Sequence, residues 1–193
     1  MAYDVYTFSG IILDVWNHKE WDKKFIIFSK ENGIMTVVAI GAQRPASKMR
    51  GHIIRFCNLS IDVVHGKTGY RLIRVQTNNH SFLIHKKESY FVLIKTARLI
   101  NGLLPSGAPH RQVFLVFNKL NIFLENNIIT KESENKLFYE TALLIFSALG
   151  YRQGTLLDFE SINNKDFDLE KNENDLFFEY QSILNENGLV NMI

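Results

Sequence analysis

Arg44, Lys48 and Arg50 lie within one short stretch, GAQRPASKMRG, bounded by Gly41 and Gly51. Lys and Arg are the side chains that neutralise phosphate oxygens, and the planar fork of Arg can meet two of them at once. An ordinary solvated loop is the plainer reading, because surface charge is the default. The surroundings favour a phosphate-binding loop. Asn32-Gly33 is a hairpin signal of the type I′ kind, Ile34 to Ile40 is a β-branched run of strand length, and a further strand follows the loop.

Other chemistry has weaker support. Cys57 with His52 or His65 and Asp62 holds the residue types of a thiol nucleophile, yet Cys57 sits in an apolar context, where a lone cysteine serves as a small hydrophobe. The six histidines are scattered, with no H-x-x-x-H pair, so no metal site is expected. One cysteine also excludes an internal disulfide and a cysteine-built zinc site. Ala39-Ile40-Gly41 lacks the lysine and glycines of a nucleotide loop, so no nucleotide cofactor is indicated. The expectation is a binding protein, not an enzyme, with no cofactor.

The elements that would hold the basic loop can be read in order. Thr7 to Val15 and Phe25 to Ser29 are strand-like, separated by a polar segment carrying Trp16, Trp21, Lys23 and Lys24. Ile34 to Ile40 is the third strand and Ile53 to Val64 the fourth, with Ile61 and Val63 on one face and Ser60 and Asp62 on the other. Gly66 to Gly69 turns into Tyr70 to Thr77, where Leu72 faces opposite to Arg71 and Ile73. Five short strands in about eighty residues predict a small barrel or strongly twisted sheet.

After Phe82 the period changes to that of helices. Glu88 to Leu104, Val113 to Leu124, Ser133 to Leu149 and Asp175 to Leu184 are expected helices. Ser133 is the expected N-cap of the third and Gly150 its stop. The segment around 161–175 is expected to be a long acidic loop. The fold class is therefore α+β, with an all-β domain over residues 1–80 and a helical domain over 81–193.

The 193 residues carry a formal charge of +2, unevenly spread. Through His80 there are eleven Lys/Arg against six Asp/Glu, and from Ser81 to Gly150 eight against five. From Tyr151 onward there are three against nine. A basic front and an acidic end fit a polyanion-binding N-terminal module. No run approaches the ~20 apolar residues of a membrane span, and MAYDVYTFSG lacks a signal-peptide pattern. The expected setting is cytoplasmic, with no membrane partner.

In order and spacing, an N-terminal strand, NGIMTVVAIGAQRPASKMRG, FCNLSIDVVHGKTGY and LFYETALLIFSALGY resemble the bacterial recombination-mediator family RecO. The family's Ala-x-Gly-x-x-Arg-x-x-Ser loop is matched by Ala39, Gly41, Arg44 and Ser47. Its helical signature is matched by Phe138, Glu140, Leu143, Leu144, Leu149, Gly150 and Tyr151, with Glu140 one position late. The resemblance runs from Tyr6 to Arg152. It departs at the C-terminal side, where many members carry a four-cysteine zinc site and a longer chain; here there are none of those cysteines and a short acidic segment, so metal binding is not carried over.

The resemblance implies an OB-fold barrel followed by a helical bundle. The implied activity is DNA repair and recombination: binding single- and double-stranded DNA, annealing complementary strands, and assisting recombinase loading on DNA coated with single-strand-binding protein. The implied partners are DNA, a RecR-like protein and the C-terminal tail of single-strand-binding protein. OB folds hold strands with a cationic groove and aromatic faces. The candidate DNA contacts are accordingly Arg44, Lys48, Arg50 and Arg55, extended by Lys23, Lys24, Arg71 and Arg74. Trp21 and Tyr70, with Trp16, are the stacking candidates, half-buried barrel aromatics being the ordinary alternative. Arg98, Arg111 and Arg152 are candidate cations for an acidic peptide tail. A different class remains open at this point: an OB-type adaptor for protein–protein contact with weak or no DNA affinity.

Overall fold

The computed structural model describes residues 4–67, 69–79, 87–151 and 172–190. Five strands, β1 (Val5–His18), β2 (Asp22–Ser29), β3 (Gly33–Ala39), β4 (Asn58–Gly66) and β5 (Gly69–Asn79), precede four helices. The helices are α1 (Lys87–Leu103), α2 (Arg111–Asn126), α3 (Lys131–Ala148) and α4 (Glu173–Glu186). The fold is α+β. The strands close into a barrel in the order β1-β2-β3-β5-β4, with β4 returning to β1. The parallel contact of β3 with β5, at Val37–Tyr70 and Val38–Arg71, completes it. This is an OB-type barrel, as expected.

Alternation builds the interior. Phe25 and Ile27 of β2, Met35, Val37 and Ala39 of β3, and Leu59, Ile61 and Val63 of β4 point into one apolar core with Phe8 and Ile12 of β1. Apart from the smaller Ala39, each such side chain contributes about 1.5–3 kcal/mol by leaving water. Ser60 and Asp62 take the outer face of β4. On β5, Leu72 points in while Arg71 and Ile73 are exposed. Strand β1 serves two partners, and its pairings with β4 and β2 overlap at Gly10 and Ile11. A Cβ at Gly10 would lie 2.3 Å from the Phe28 carbonyl oxygen, so the crossing requires glycine.

Three local expectations change. The segment around Trp16 to Lys24 is mostly strand, with a tight hairpin turn at Lys19–Trp21. Strand β4 begins at Asn58, not Ile53. Ile53 and Cys57 are apolar because both pack into the barrel core, while the backbone between them turns through Phe56 at φ +66°. Phe56 N donates to the Ile12 carbonyl at 2.8 Å and Ile12 N to the Cys57 carbonyl at 3.1 Å, so this turn is fastened to β1. The β2–β3 hairpin is not a type I′ turn either. Ser29 pairs with Gly33 across Lys30–Asn32, and Gly33 takes the left-handed conformation (φ +66°) while Asn32 does not.

The chain forms two compact units, residues 1–83 with 105–109, and 84–104 with 110–193. The loop Pro105–Pro109 between α1 and α2 therefore belongs with the barrel. Ser106 forms a parallel bridge to Ile34, and Gly107 N donates to the Ile34 carbonyl at 2.9 Å. Gly33 admits this approach, since a Cβ there would fall 2.0 Å from the Ala108 carbonyl oxygen.

In the helical unit α1, α2 and α4 each pack on α3. Thr130 caps α3, its hydroxyl accepting from Ser133 N at 3.3 Å. Ser133 is thus inside the helix, because the polar first turn starts before the apolar periodicity shows. At the other end Tyr151 N donates to the Phe146 carbonyl at 2.9 Å and Gly150 N to that of Ser147 at 3.1 Å, with Gly150 at φ +80°. The Tyr151 and Phe146 rings meet edge-on. Leu149-Gly150-Tyr151 is a Schellman stop with its hydrophobic clasp. The expected acidic loop lies largely outside the described residues.

Candidate nucleic-acid interface

Cross-strand partners share a face of a sheet, and one such row runs across the outside of the barrel. Trp16 of β1 pairs with Lys24 of β2, Lys24 with Val38 of β3, and Val38 with Arg71 of β5. The Lys24 ammonium lies 5.7 Å from the Trp16 ring centroid, a cation–π contact. Beside this row is a groove of about 320 Å³. Val38 and Ile40 supply apolar lining, Arg71 lines it from β5, and the two hairpin turns contribute His18 and Lys19 of β1–β2 and His65 and Lys67 of β4–β5.

The local sequence explains this shape. The β1–β2 turn is three residues long, with Lys19 in the left-handed region (φ +55°), which turns its side chain position away from the strand repeat. The β4–β5 turn closes between Gly66 and Gly69. Three cations thus face the groove from three elements, opposed by the carboxylate of Asp22. Asp22 is itself engaged, accepting from Gly41 N at 2.8 Å. Lys19, Lys67 and Arg71 make no ion pair with any described residue. The site is a positively charged trough with part of its lining apolar.

The predicted residues divide between this groove and its margins. Arg71 lines it and Lys24 stands beside it in the row. Arg44, Lys48 and Arg50 are exposed on the segment after β3. That segment is a chain of turns, with Arg44 N donating to the Gly41 carbonyl, Ser47 N to that of Arg44, and Arg50 N to that of Ser47. Gln43 ties it to the β1–β2 turn, its amide N donating to the Trp21 carbonyl at 2.9 Å and its side chain to that of Asp22 at 2.7 Å. The basic loop is thus positioned at the groove's β1–β2 end.

Lys23 is half-buried and donates to the Ile53 carbonyl at 3.2 Å. Burial lowers its pKa, and the nearby Arg50 charge lowers it further. Its ammonium serves the end of the barrel. Arg55 forms an ion pair with Asp14. Arg74 pairs in register with Asp62 on β4, beyond the groove. Trp21 sits exposed at the β1–β2 turn, outside the groove wall. Tyr70 lines the groove, but its ring is half-buried and packed edge-on against Phe8 and His65, at 5.6 and 5.0 Å between centroids.

Reading the sequence missed His18, Lys19, His65 and Lys67. The available signal was a cation in each of two tight turns, Lys19 before Trp21 and Lys67 between two glycines. Neither turn could be assigned to one end of a groove before the strand order was known.

Cys57 is buried, and burial pushes its thiol up to about 11, against a smaller pull from the Thr77 hydrogen bond. A nucleophilic thiol requires the opposite environment. Among the described residues no group of three His, Cys, Asp or Glu could hold a metal ion. No helix of the described residues is long and apolar enough to cross a membrane. In the helical unit Arg98 and Arg111 are exposed on α1 and at the start of α2, and Arg152 lies outside the described residues.

Residues 1–80, the span that holds the five strands, match the family model described as "Recombination protein O N terminal". No curated protein matches the chain.

Proposed function

We propose that this chain, whose residues 1–80 match the model of the recombination protein O N-terminal domain, is a DNA-binding recombination mediator. In this reading it binds single- and double-stranded DNA and anneals complementary strands. It also assists recombinase loading on DNA coated with single-strand-binding protein, in company with a RecR-like partner and the acidic tail of that protein.

The observation that carries the reading is the cationic trough, with Lys19, Lys67 and Arg71 in its lining beside Val38 and Ile40, and Lys24 stacked on Trp16 beside it. Phosphates meet the cations while the apolar lining accommodates sugars and base edges. Arg44, Lys48 and Arg50 continue the positive surface beyond the β1–β2 turn. Annealing follows from the same electrostatics. Two strands neutralised along one surface repel each other less, and a sequence-independent contact leaves their bases available to pair.

Fluorescence anisotropy with a labelled single-stranded oligonucleotide tests this. Binding at low salt should weaken as salt rises, with a slope of about −0.7 per phosphate contacted. The exposed Ile40 and Ile73 favour the second reading, an adaptor that binds protein on the same barrel. A folded protein that binds no oligonucleotide at low salt would support that reading over the first.

A further inference from the structure

A second pocket of about 320 Å³ lies along β3 and shares Tyr70 with the groove, and its chemistry differs from that of the groove. Asn32, Thr36 and Ser106 supply an amide and two hydroxyls, Ile34 and Met35 supply apolar surface, and Tyr70 is shared with the cationic groove. No charged side chain lines it. Ser106 comes from the loop Pro105–Pro109, held there by its bridge to Ile34 and by the Gly107–Ile34 hydrogen bond. The loop's arrival depends on Gly33 lacking a Cβ.

We infer that this pocket is a nucleobase subsite, taking one base of the strand whose phosphates occupy the cationic groove, with Tyr70 shared by both. The inference rests on the DNA reading of the groove. Each half suits one part of a nucleotide. Cations with no described partner attract phosphate, whereas an uncharged pocket with amide and hydroxyl groups can hydrogen-bond a base edge, as Asn, Ser and Thr do elsewhere. Phe8 and His65 fix the Tyr70 ring edge-on, so no ordering is required of it when a base arrives. At about 320 Å³ the pocket is at the small end of ligand sites, suited to a single ring system rather than a folded partner. The loop between α1 and α2 thereby becomes part of the strand's path.

The test compares labelled oligo-dT with an abasic oligonucleotide of equal length, by anisotropy at low salt. The full chain should prefer oligo-dT by about tenfold. Thr36→Val, which removes only a hydroxyl, and Ser106→Leu, which fills the pocket while leaving the backbone bridge possible, should each erase most of that preference without changing the salt slope. Arg71→Ala should weaken both oligonucleotides alike and flatten the slope. If both pocket variants melt like the parent chain and keep its preference for bases, the subsite is refuted while the groove stands. If the parent chain binds neither oligonucleotide, the groove reading falls and the subsite with it.

Discussion

Arg55 donates from Nε to Asp14 Oδ1 at 2.7 Å, joining the turn before β4 to β1. The pair withdraws one cation of the basic stretch from the surface available to an anion. Both side chains remain more than a third exposed, so the pair belongs with surface ion pairs that contribute at most about 1 kcal/mol.

Arg55→Ala should therefore change oligonucleotide affinity by less than about twofold, and Arg71→Ala should weaken it several-fold while reducing the salt slope by about 0.7. Anisotropy titrations of the two variants over a salt series check the contrast. Equal losses would mean that the strand runs over the Arg55 side of the barrel.

The basic loop and the hairpin turns can be separated in the same assay. Replacing Lys19, Lys67 and Arg71 together by Ala should remove three groove contacts and about two units of salt slope. Replacing Arg44, Lys48 and Arg50 should have a smaller effect, as these flank the groove at one end. A larger loss from the loop triple would shift the main contact surface to the segment after β3.

Gly33→Ala should destabilise the chain by about 2–4 kcal/mol, since a left-handed φ and a Cβ only 2.0 Å from the Ala108 carbonyl oxygen act together. Urea denaturation measures it. Loss of the overlap alone, by shortening the loop at Ala108, should recover part of the deficit.

Cys57 should resist iodoacetamide in the native state at pH 8. With its thiol raised to about 11, only about one part in a thousand is thiolate there, and the sulfur is also buried. The folded chain holds this proton more tightly than the unfolded one, whose thiol has an ordinary value of 9.0. The contribution to stability is complete below pH 9 and declines as pH rises from 9 toward 11. Mass spectrometry after timed alkylation, with and without denaturant, is the readout, and rapid native labelling would contradict the burial.

Thr130→Ala should cost about 1 kcal/mol through loss of the α3 cap, and Ser133→Ala less. The order would reverse if Ser133 were the cap.

Much of this molecule follows from local chemistry written along the chain. The alternation of Ser60, Ile61, Asp62 and Val63 determines which side of β4 meets the core, because successive strand residues face opposite ways. Leu149-Gly150-Tyr151 determines where α3 stops, because glycine alone enters the left-handed turn without penalty. The RecO-like order of motifs pointed to the barrel before its strands were seen to close. What only the tertiary structure decided were the long-range neighbours. Lys19 and Lys67 are forty-eight positions apart, and they share a groove because β3 pairs in parallel with β5 and places both turns beside it. Arg55 belongs to Asp14, and Lys23 to Ile53, because the segment before β4 packs back on β1 and β2. Ile53 and Cys57 imitate a strand in sequence, since burial selects apolar residues whatever the backbone does. Ser106 reaches β3 because Gly33, seventy-three positions earlier, has no side chain to obstruct it. Local patterns record which face is buried, whereas strand order and close backbone approach depend on how distant segments pack.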